Sequence, residues 1–514
     1  MIIGETLAYN ARHSAGAEAL ICGNKRRTWG ELNAGANRFA NALLELRAEK
    51  GDRALMLVDN SLEFVEIYYG LAKIGVISAP SLPRSVGAEI VYIANDLRAK
   101  YVVVEAAAAA EVKSIQHQLK TVRHVIGVGD GHGLELDYDT LLRTASAEYP
   151  AIRVAPTDLL TVKYTSGTTG SPKGCMRAHN NFILAAAVYL FEMPLYDADT
   201  GSITSPLAAG MAISELTRYV IRGTRMVMLP RFDAVQFMEL IAREKITWGY
   251  AMDTMARRFC MHPDLDQADL SSLRAFSGVR DPECMERLLA QKTFHAGFHT
   301  GYGSSESGGR ISFKKAEDFE KAMKQPAKYG HIMDSLGREG RLYRMEAVDD
   351  DLKPVPVGEI GELAVRGPSV FQGYWERPEE SAKVLRDGWL VTGDLSRRDA
   401  EGYIYLAGRK RDMIKSGGIN VYPAEIEPVL ARHPKIAEAS VVGIADEQWG
   451  EKVVACVVAK APVTETEIID FCRDKLSGPK RPKTVHFLDK LPTNESGKVV
   501  KKDLVAMLTR DQKT

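Results

Sequence analysis

Short apolar runs alternate with stretches whose apolar residues recur every three or four positions. "RALMLV" at 53–58, "YVVVE" at 101–105 and "RMVMLP" at 225–230 read as strands. "EFVEIYYGLAKIG" at 63–75 and "VQFMELIAREK" at 235–245 read as helices, and "AAAAAEV" at 106–112 as an alanine-rich helix start. The alternation predicts an α/β architecture with largely parallel sheets. Phe64, Tyr68 and Tyr69 form an aromatic stripe that this spacing assigns to core packing. "LLTVK" at 159–163 reads as a short buried strand and "NNFILAAAVYLF" at 180–191 as an apolar helix. The segment between them, "YTSGTTGSPKG" at 164–174, falls by this reading at a strand-to-helix junction, where backbone N–H groups are free to meet an anion.

The character of the chain changes near 408–418, "GRKRDMIKSGG", charged and then glycine-rich. Beyond it, "PAEIEPVLARHP" places Ile426, Val429 and Leu430 on one helical face, and "ASVVGIA", "EKVVACVVAK" and "TVHFLD" read as strands. "TETEIIDFCRDKL" reads as a helix whose Thr464 and Glu467 fit a capping box. This is a small α+β domain, and the boundary is set at about Lys410: a large domain over 1–410 and a C-terminal domain over 411–514. No internal repeat interrupts either.

Bulk properties narrow the function classes. Hydrophobic content of 45% and charged content of 26% describe a globular protein with a sizeable core. Lys+Arg and Asp+Glu both number 67, so total charge gives no reason to expect nucleic acid or an anionic membrane as partner. The six cysteines are scattered without a C-x-x-C pair, which suits a reducing cytosol rather than a zinc ribbon or a disulfide framework. The N-terminus lacks the basic and apolar regions of a signal peptide, and "DQKT" at the end is no lipidation or peroxisomal signal. Apolar runs such as "ILAAAVYLF" at 183–191 fall short of the ~20 residues of a spanning helix. A soluble cytoplasmic protein without a membrane span is expected.

The 164–174 loop combines three threonines, two serines, three glycines and one cation, Lys173. It is not a Walker loop, because Gly174 follows Lys173 where Ser or Thr is required, and no G-x-S-x-G surrounds Ser166. A phosphate cradle remains, against a plain flexible connection. The loop resembles the signature of the adenylate-forming superfamily, which comprises acyl- and aryl-CoA ligases, adenylation domains and luciferases. Four further segments resemble that superfamily in order: "TGYGSSE" at 300–306, the region from "GEIGELAVRGPSVFQGYW" to "DGWLVTGDL", "GRKRDMIKSGGINVYPAEIE" at 408–427, and "LPTNESGKVVKKDL" at 491–504. Five motifs in sequence are far more specific than one.

The resemblance implies a two-step reaction. A carboxylate attacks the α-phosphate of ATP, pyrophosphate leaves, and a thiol then attacks the acyl-adenylate. Thr165, Ser166, Thr168, Thr169 and Lys173, with Gly167 and Gly170 between them, would hold the β- and γ-phosphates. Glu306 supplies a carboxylate suited to Mg²⁺, a hard cation. Tyr302 offers a flat face to adenine, with Gly303 and Ser305 beside it, and Asp394 accepts the ribose hydroxyl protons next to Arg409. Lys498 is the expected catalytic lysine, placed to stabilise charge growing at the α-phosphate, whereas neighbouring lysines such as Lys475, Lys501 and Lys502 read as a solvated face. The hinge falls at Arg411, where relatives carry Asp or Lys, and the small domain would swing about it between the two steps. Gly417 and Gly418 suit a pantetheine passage, against a simple turn before Pro423.

The acid pocket departs from the superfamily's pattern. Ala208 and Ala209 replace an aromatic and a histidine, opening room that a neighbour could equally fill. No aspartate stands ready for a substrate ammonium, which lowers the amino-acid reading. Arg280 is a candidate for a second substrate carboxylate, against the preferred salt bridge to Asp281 or a surface contact. Asp253 is read as a helix N-cap. His295 and His299 have an i, i+4 spacing but Gly297 between them, and read as strand rather than as a zinc site. The expectation is an ATP-dependent, AMP-forming ligase joining a fatty or aromatic/cyclic monocarboxylic acid to CoA. The alternatives are an enzyme that loads a carrier protein, disfavoured because no residues remain for a fused carrier, and a silent nucleotide sensor. ATP, Mg²⁺ and CoA are the expected cofactors, with a homodimeric state left open.

Overall fold

A computed structural model describes residues 1–165, 172–493 and 499–511, apart from the side chains of Ala209, Asp253 and Asp511. The chain divides into two compact units, Met1–Arg344 with Val365–Leu390, and Met345–Ala364 with Val391–Thr514.

The first unit has the α/β class read from the alternation. Two seven-stranded sheets are parallel except at one edge of each. One runs Leu136–Asp137, His124–Val128, Tyr101–Glu105, Arg53–Leu57, Ile77–Ser81, Leu159–Thr165, Lys173–Ala178 in spatial order. Its central strands are continuous apolar runs because helices cover both faces: Leu55, Leu57, Val102 and Val104 have no exposed surface. The helix Leu62–Ile74 starts where Ser61 Oγ accepts from Phe64 N and ends at Gly75, whose φ of 68° needs a residue without Cβ. Phe64, Tyr68 and Tyr69 on it are fully buried, as the spacing indicates. The other sheet runs Gly297–His299, Ala275–Ser277, Trp248–Tyr250, Thr200–Ile203, Arg225–Met228, Glu18–Cys22, Lys25–Thr28. Beside it, the Phe237, Phe259 and Phe276 rings pack with centroids 5.3–6.4 Å apart.

Two local expectations are corrected. The 164–174 loop does not lead into a helix: Leu159–Thr165 is followed by a second, antiparallel strand, Lys173–Ala178, with Thr165 opposite Lys173. Only then does the helix His179–Glu192 begin. The strand "KGCMRA" has little apolar alternation, and it forms because its backbone closes the edge of a preformed sheet. At Gly174 a Cβ would lie 2.4 Å from Val162 Cγ1, so the close approach requires glycine. Asp253 is also not the N-cap: Met252 holds that position and Asp253 is the first helical residue.

In the second unit, the part of Trp389–Arg398 from Asp394 onward forms an antiparallel pair with Ile404–Arg409. A mixed five-stranded sheet follows the order Ile419–Val421, Ile414–Ser416, Gly450–Ala459, Ile436–Asp446, with Thr484–Phe487 beside Gly450–Ala459. Helices Pro423–Ala431 and Glu465–Arg473 bury Ile426, Leu430, Ile468 and Cys472 against it. Thr464 caps the latter helix through Glu467 N at 3.2 Å. Among the described residues no helix is long and apolar enough to cross a membrane.

Candidate active site

The site residues of the first unit gather on two hairpins. Gly303–Ser304 pairs with Gly309–Arg310, and the connecting turn presents Ser305 and Glu306. Ser304 and Ser307 lock the turn by bonding each other's backbone N–H at 3.0 and 2.7 Å. Tyr302, at the hairpin's base, is 9% exposed, and its backbone N–H donates to Ser312 Oγ at 3.0 Å. A Cβ on Gly303 would sit 1.9 Å from Gly309 O, so this turn tolerates no larger residue.

The phosphate-loop hairpin meets this one through residues 372–375. Gln372, Trp375 and Met176 backbone N–H groups donate to Met176, Gly174 and Gly373 carbonyls at 2.8–3.0 Å, which lays residues 372–375 along Lys173–Ala178. That places Tyr374 between the two candidate groups. Its hydroxyl donates to Glu306 Oε1 at 3.1 Å and its ring lies 5.3 Å from Lys173 Nζ. Burial, and then the Glu306 charge, push the Tyr374 phenol well up, so it remains a donor. Lys173 is not a bare cation, for it pairs with Glu380, whose carboxyl is lowered chiefly by that contact. Thr165 Oγ1 is 3.5 Å from Lys173 O. Ser166, Gly167, Thr168, Thr169 and Gly170 lie outside the described residues, as does Lys498.

The other candidates belong to the second unit. Asp394 and Arg409 face each other across the antiparallel pair, with Arg409 Nε 2.8 Å from Asp394 Oδ1. Asp394 is 5% exposed, and Thr392 Oγ1 accepts from its backbone N–H at 3.1 Å. Gly417 and Gly418, at φ 58° and 79°, form the two-residue turn of the hairpin Ile414–Ser416 to Ile419–Val421. They are thus a turn before Pro423; a Cβ on Gly417 would meet the Trp449 ring at 3.2 Å, whereas Gly418 faces open space.

The acid-side departures also resolve. Ala208 is 2% exposed and the Lys163 ammonium bonds its carbonyl, so this alanine is packed over by its neighbours. Burial holds the Lys163 amine down at about 8. Asp281 caps the helix Pro282–Ala290 and pairs with Arg257 at 2.6 Å, not with Arg280. Arg280 instead donates to Gly301 O at 2.5 Å and Thr300 Oγ1 at 3.2 Å. Residues 297–299 are a strand, as read from "HAGFH". Tyr374 and Glu380 were missed as site residues, although "FQGYW" lies within a quoted motif. Their part depends on which strand 372–375 joins, and spacing carries no trace of that.

A lysine, a tyrosine donor and an oriented carboxylate on an α/β scaffold suit a ligand that carries both an anion and a metal ion, and the comparisons specify the class. Residues 7–375 match the model for the AMP-binding enzymes, and 425–498 match that for the AMP-binding enzyme C-terminal domain. The chain therefore belongs to the AMP-binding, adenylate-forming family. It is 33% identical over 93% of its length, and 92% of the relative's, to the long-chain-fatty-acid–CoA ligase FadD13 of Mycobacterium tuberculosis. It is 31% identical to the feruloyl-CoA synthase of an Amycolatopsis species, over 97% of both chains. A solved anthranilate CoA ligase, AuaEII, in complex with anthranoyl-AMP, superposes with a TM-score of 0.87 at 27% identity, covering 100% of this chain and 98% of that one.

Proposed function

We propose that this protein is an ATP-dependent, AMP-forming acid–CoA ligase acting on a fatty or aromatic/cyclic acid. The observation that carries the reading is the run from half-buried Lys173 past the buried Tyr374 to half-buried Glu306, which combines a cation and an oriented carboxylate on two adjacent hairpins. ATP, Mg²⁺ and CoA are its cofactors and co-substrates, in keeping with its family.

In the first step a carboxylate oxygen of the acid attacks the α-phosphorus, the bond to the β-phosphate oxygen breaks, and pyrophosphate leaves. Lys173 exchanges Glu380 for the phosphate oxygens, joined by Thr165, Ser166, Thr168 and Thr169. Glu306 fits Mg²⁺: it is a hard oxygen donor, turned by Tyr374 through Oε1, and Oε2 has no partner among the described residues. When bound, the ion supplies charge neutralisation on the triphosphate. Tyr302 takes the adenine, with Gly303 and Ser305 beside it, and Asp394, held by Arg409, takes the ribose hydroxyls. Lys498 stabilises the charge that grows around the α-phosphorus. In the second step the CoA thiolate attacks the acyl carbon, the bond to AMP breaks, and AMP leaves; Gly417 and Gly418 border the thiol's approach. The chain works as domains 1–410 and 411–514 hinged at Arg411. A cytoplasmic location is supported by six free cysteines, all buried.

The test is pyrophosphate release with ATP, Mg²⁺ and a panel of acids, each with and without CoA. Steady release that requires CoA, with the matching thioester found by mass, is expected. Release without a thioester would move the assignment to a carrier-loading enzyme.

A further inference from the structure

Asp96 stands in the last turn of the helix Gly87–Leu97, where the helix dipole disfavours a carboxylate and no basic residue accompanies it. Its partners come from elsewhere in the first unit. Oδ2 accepts from Tyr164 OH at 2.6 Å, Oδ1 accepts from Arg377 Nη2 at 3.3 Å, and the backbone carbonyl accepts from Trp375 Nε1 at 3.1 Å. Tyr92, one turn earlier on the same helix, donates its hydroxyl to Pro172 O and accepts from Arg377 Nη2, both at 2.9 Å.

These contacts converge on the ends of one hairpin. Tyr164 immediately precedes Thr165, Pro172 immediately precedes Lys173, and Thr165 and Lys173 face each other in the ladder. Pro172 has no N–H, so its carbonyl is the backbone group by which that residue can be held. Tyr164 is buried; burial, and then the bond to Asp96, push its phenol well above the usual range, so it stays a donor. A hydroxyl donating to a carboxylate makes a stronger bond than a neutral pair. Trp375 and Arg377 belong to the segment that brings Tyr374 and Glu380 to Lys173. Arg377 Nη1 also lies 3.5 Å from Glu380 Oε1, so Glu380 keeps a cation when it gives up Lys173. Backbone pairing sets the register of Thr165 and Lys173; the contacts to Tyr92 and Asp96 fix where that end of the hairpin stands.

Resting on the ligase reading, we propose that Asp96 is a positioning residue for triphosphate binding: through Tyr164, and through Arg377 with Tyr92, it holds Thr165 and Lys173 where the β- and γ-phosphates of ATP are received. Asp96 touches no phosphate itself. AMP lacks those two phosphates, so its binding does not depend on this hold.

The experiment measures dissociation constants for ATP with Mg²⁺ and for AMP by titration calorimetry, with no acid present. Asp96→Ala is expected to weaken ATP roughly tenfold or more while AMP stays within about twofold. Asp96→Asn, which keeps an acceptor for Tyr164, should recover part of the loss. Tyr164→Phe should also weaken ATP and spare AMP, and the double variant should lose less than the two single losses combined, since both remove one bond. An unchanged ATP constant in Asp96→Ala, equal weakening of ATP and AMP, or strictly additive losses overturns the proposal and leaves the ligase reading intact. Should Asp96→Ala fail to fold, Tyr164→Phe with the same two nucleotides decides: selective weakening of ATP upholds the proposal and its absence overturns it. Wild-type protein that binds no ATP overturns the ligase reading, and the proposal with it.

Discussion

Lys173 shows why a residue's type and its state are separate questions. The sequence marks it as the loop's lone cation, yet in the folded chain it is paired with Glu380 and lies over the Tyr374 ring. Phosphate binding, as proposed, is then an exchange of partners in which the partly exposed Glu380 gives up Lys173. Lys498 is the converse case, legible from its motif alone. Lys498→Ala is expected to slow acyl-adenylate formation by roughly 100- to 1,000-fold, the usual cost of one lost transition-state donor, while thioester formation from added acyl-adenylate stays within a few-fold. Single-turnover pyrophosphate release checks the first and thioester mass the second. A different single-residue effect concerns stability. His179 has no exposed surface; its Nδ1 accepts from Ile3 N at 3.4 Å and its Nε2 has no partner. Burial lowers its folded-state pKa from 6.5 to about 4, with Asp158 acting weakly in the other direction. The unfolded chain therefore binds the proton first, and stability is lost as pH falls from 6.5 towards 4. The loss attributable to this group reaches about 3 kcal/mol at the low end. His179→Gln should flatten the pH dependence of urea unfolding by that amount.

Elements were read correctly where their periodicity was long and misread where an edge decided them. Leu62–Ile74 carries caps at both ends and an apolar run that needs no partner to be recognised. Lys173–Ala178 carries neither, and becomes a strand because Leu159–Thr165 offers an unpaired edge. One consequence is that Lys173 opens a strand paired with Leu159–Thr165, so an anion held there, as proposed, meets no following helix terminus. The Gly303–Arg310 hairpin is a second element set by close approach. Gly303→Ala is expected to destabilise the protein by roughly 1–3 kcal/mol, since its Cβ would fall 1.9 Å from Gly309 O. A lowered melting temperature, together with weaker protection by ATP, is the readout. The paired glycines Gly417 and Gly418 were legible as special, and their backbone at positive φ shows the reason to be a two-residue hairpin turn.

At the level of the whole chain, two units with their own cores carry separate parts of the proposed chemistry: Glu306, Tyr302 and Lys173 in one, Asp394 and Arg409 in the other. A ligase with two half-reactions is expected to depend on a hinge, proposed at Arg411, which lies within the second of these units and separates its residues 391–410 from 411–514. Arg411→Pro, which restricts the backbone at the proposed hinge, should leave single-turnover pyrophosphate release within a few-fold and slow thioester formation at least about tenfold. Equal loss of both steps would remove Arg411 from that role. The sequence by itself determined the α/β class and the adenylate-forming family, because those depend on local periodicity and on motifs contiguous in the chain. Only the tertiary structure decided that Tyr374 orients Glu306, that Asp281 belongs to Arg257, and that Asp96 accepts from Tyr164. Each of these joins residues 24 to 68 positions apart, and pairing across such separations leaves no periodic signal in the order of residues.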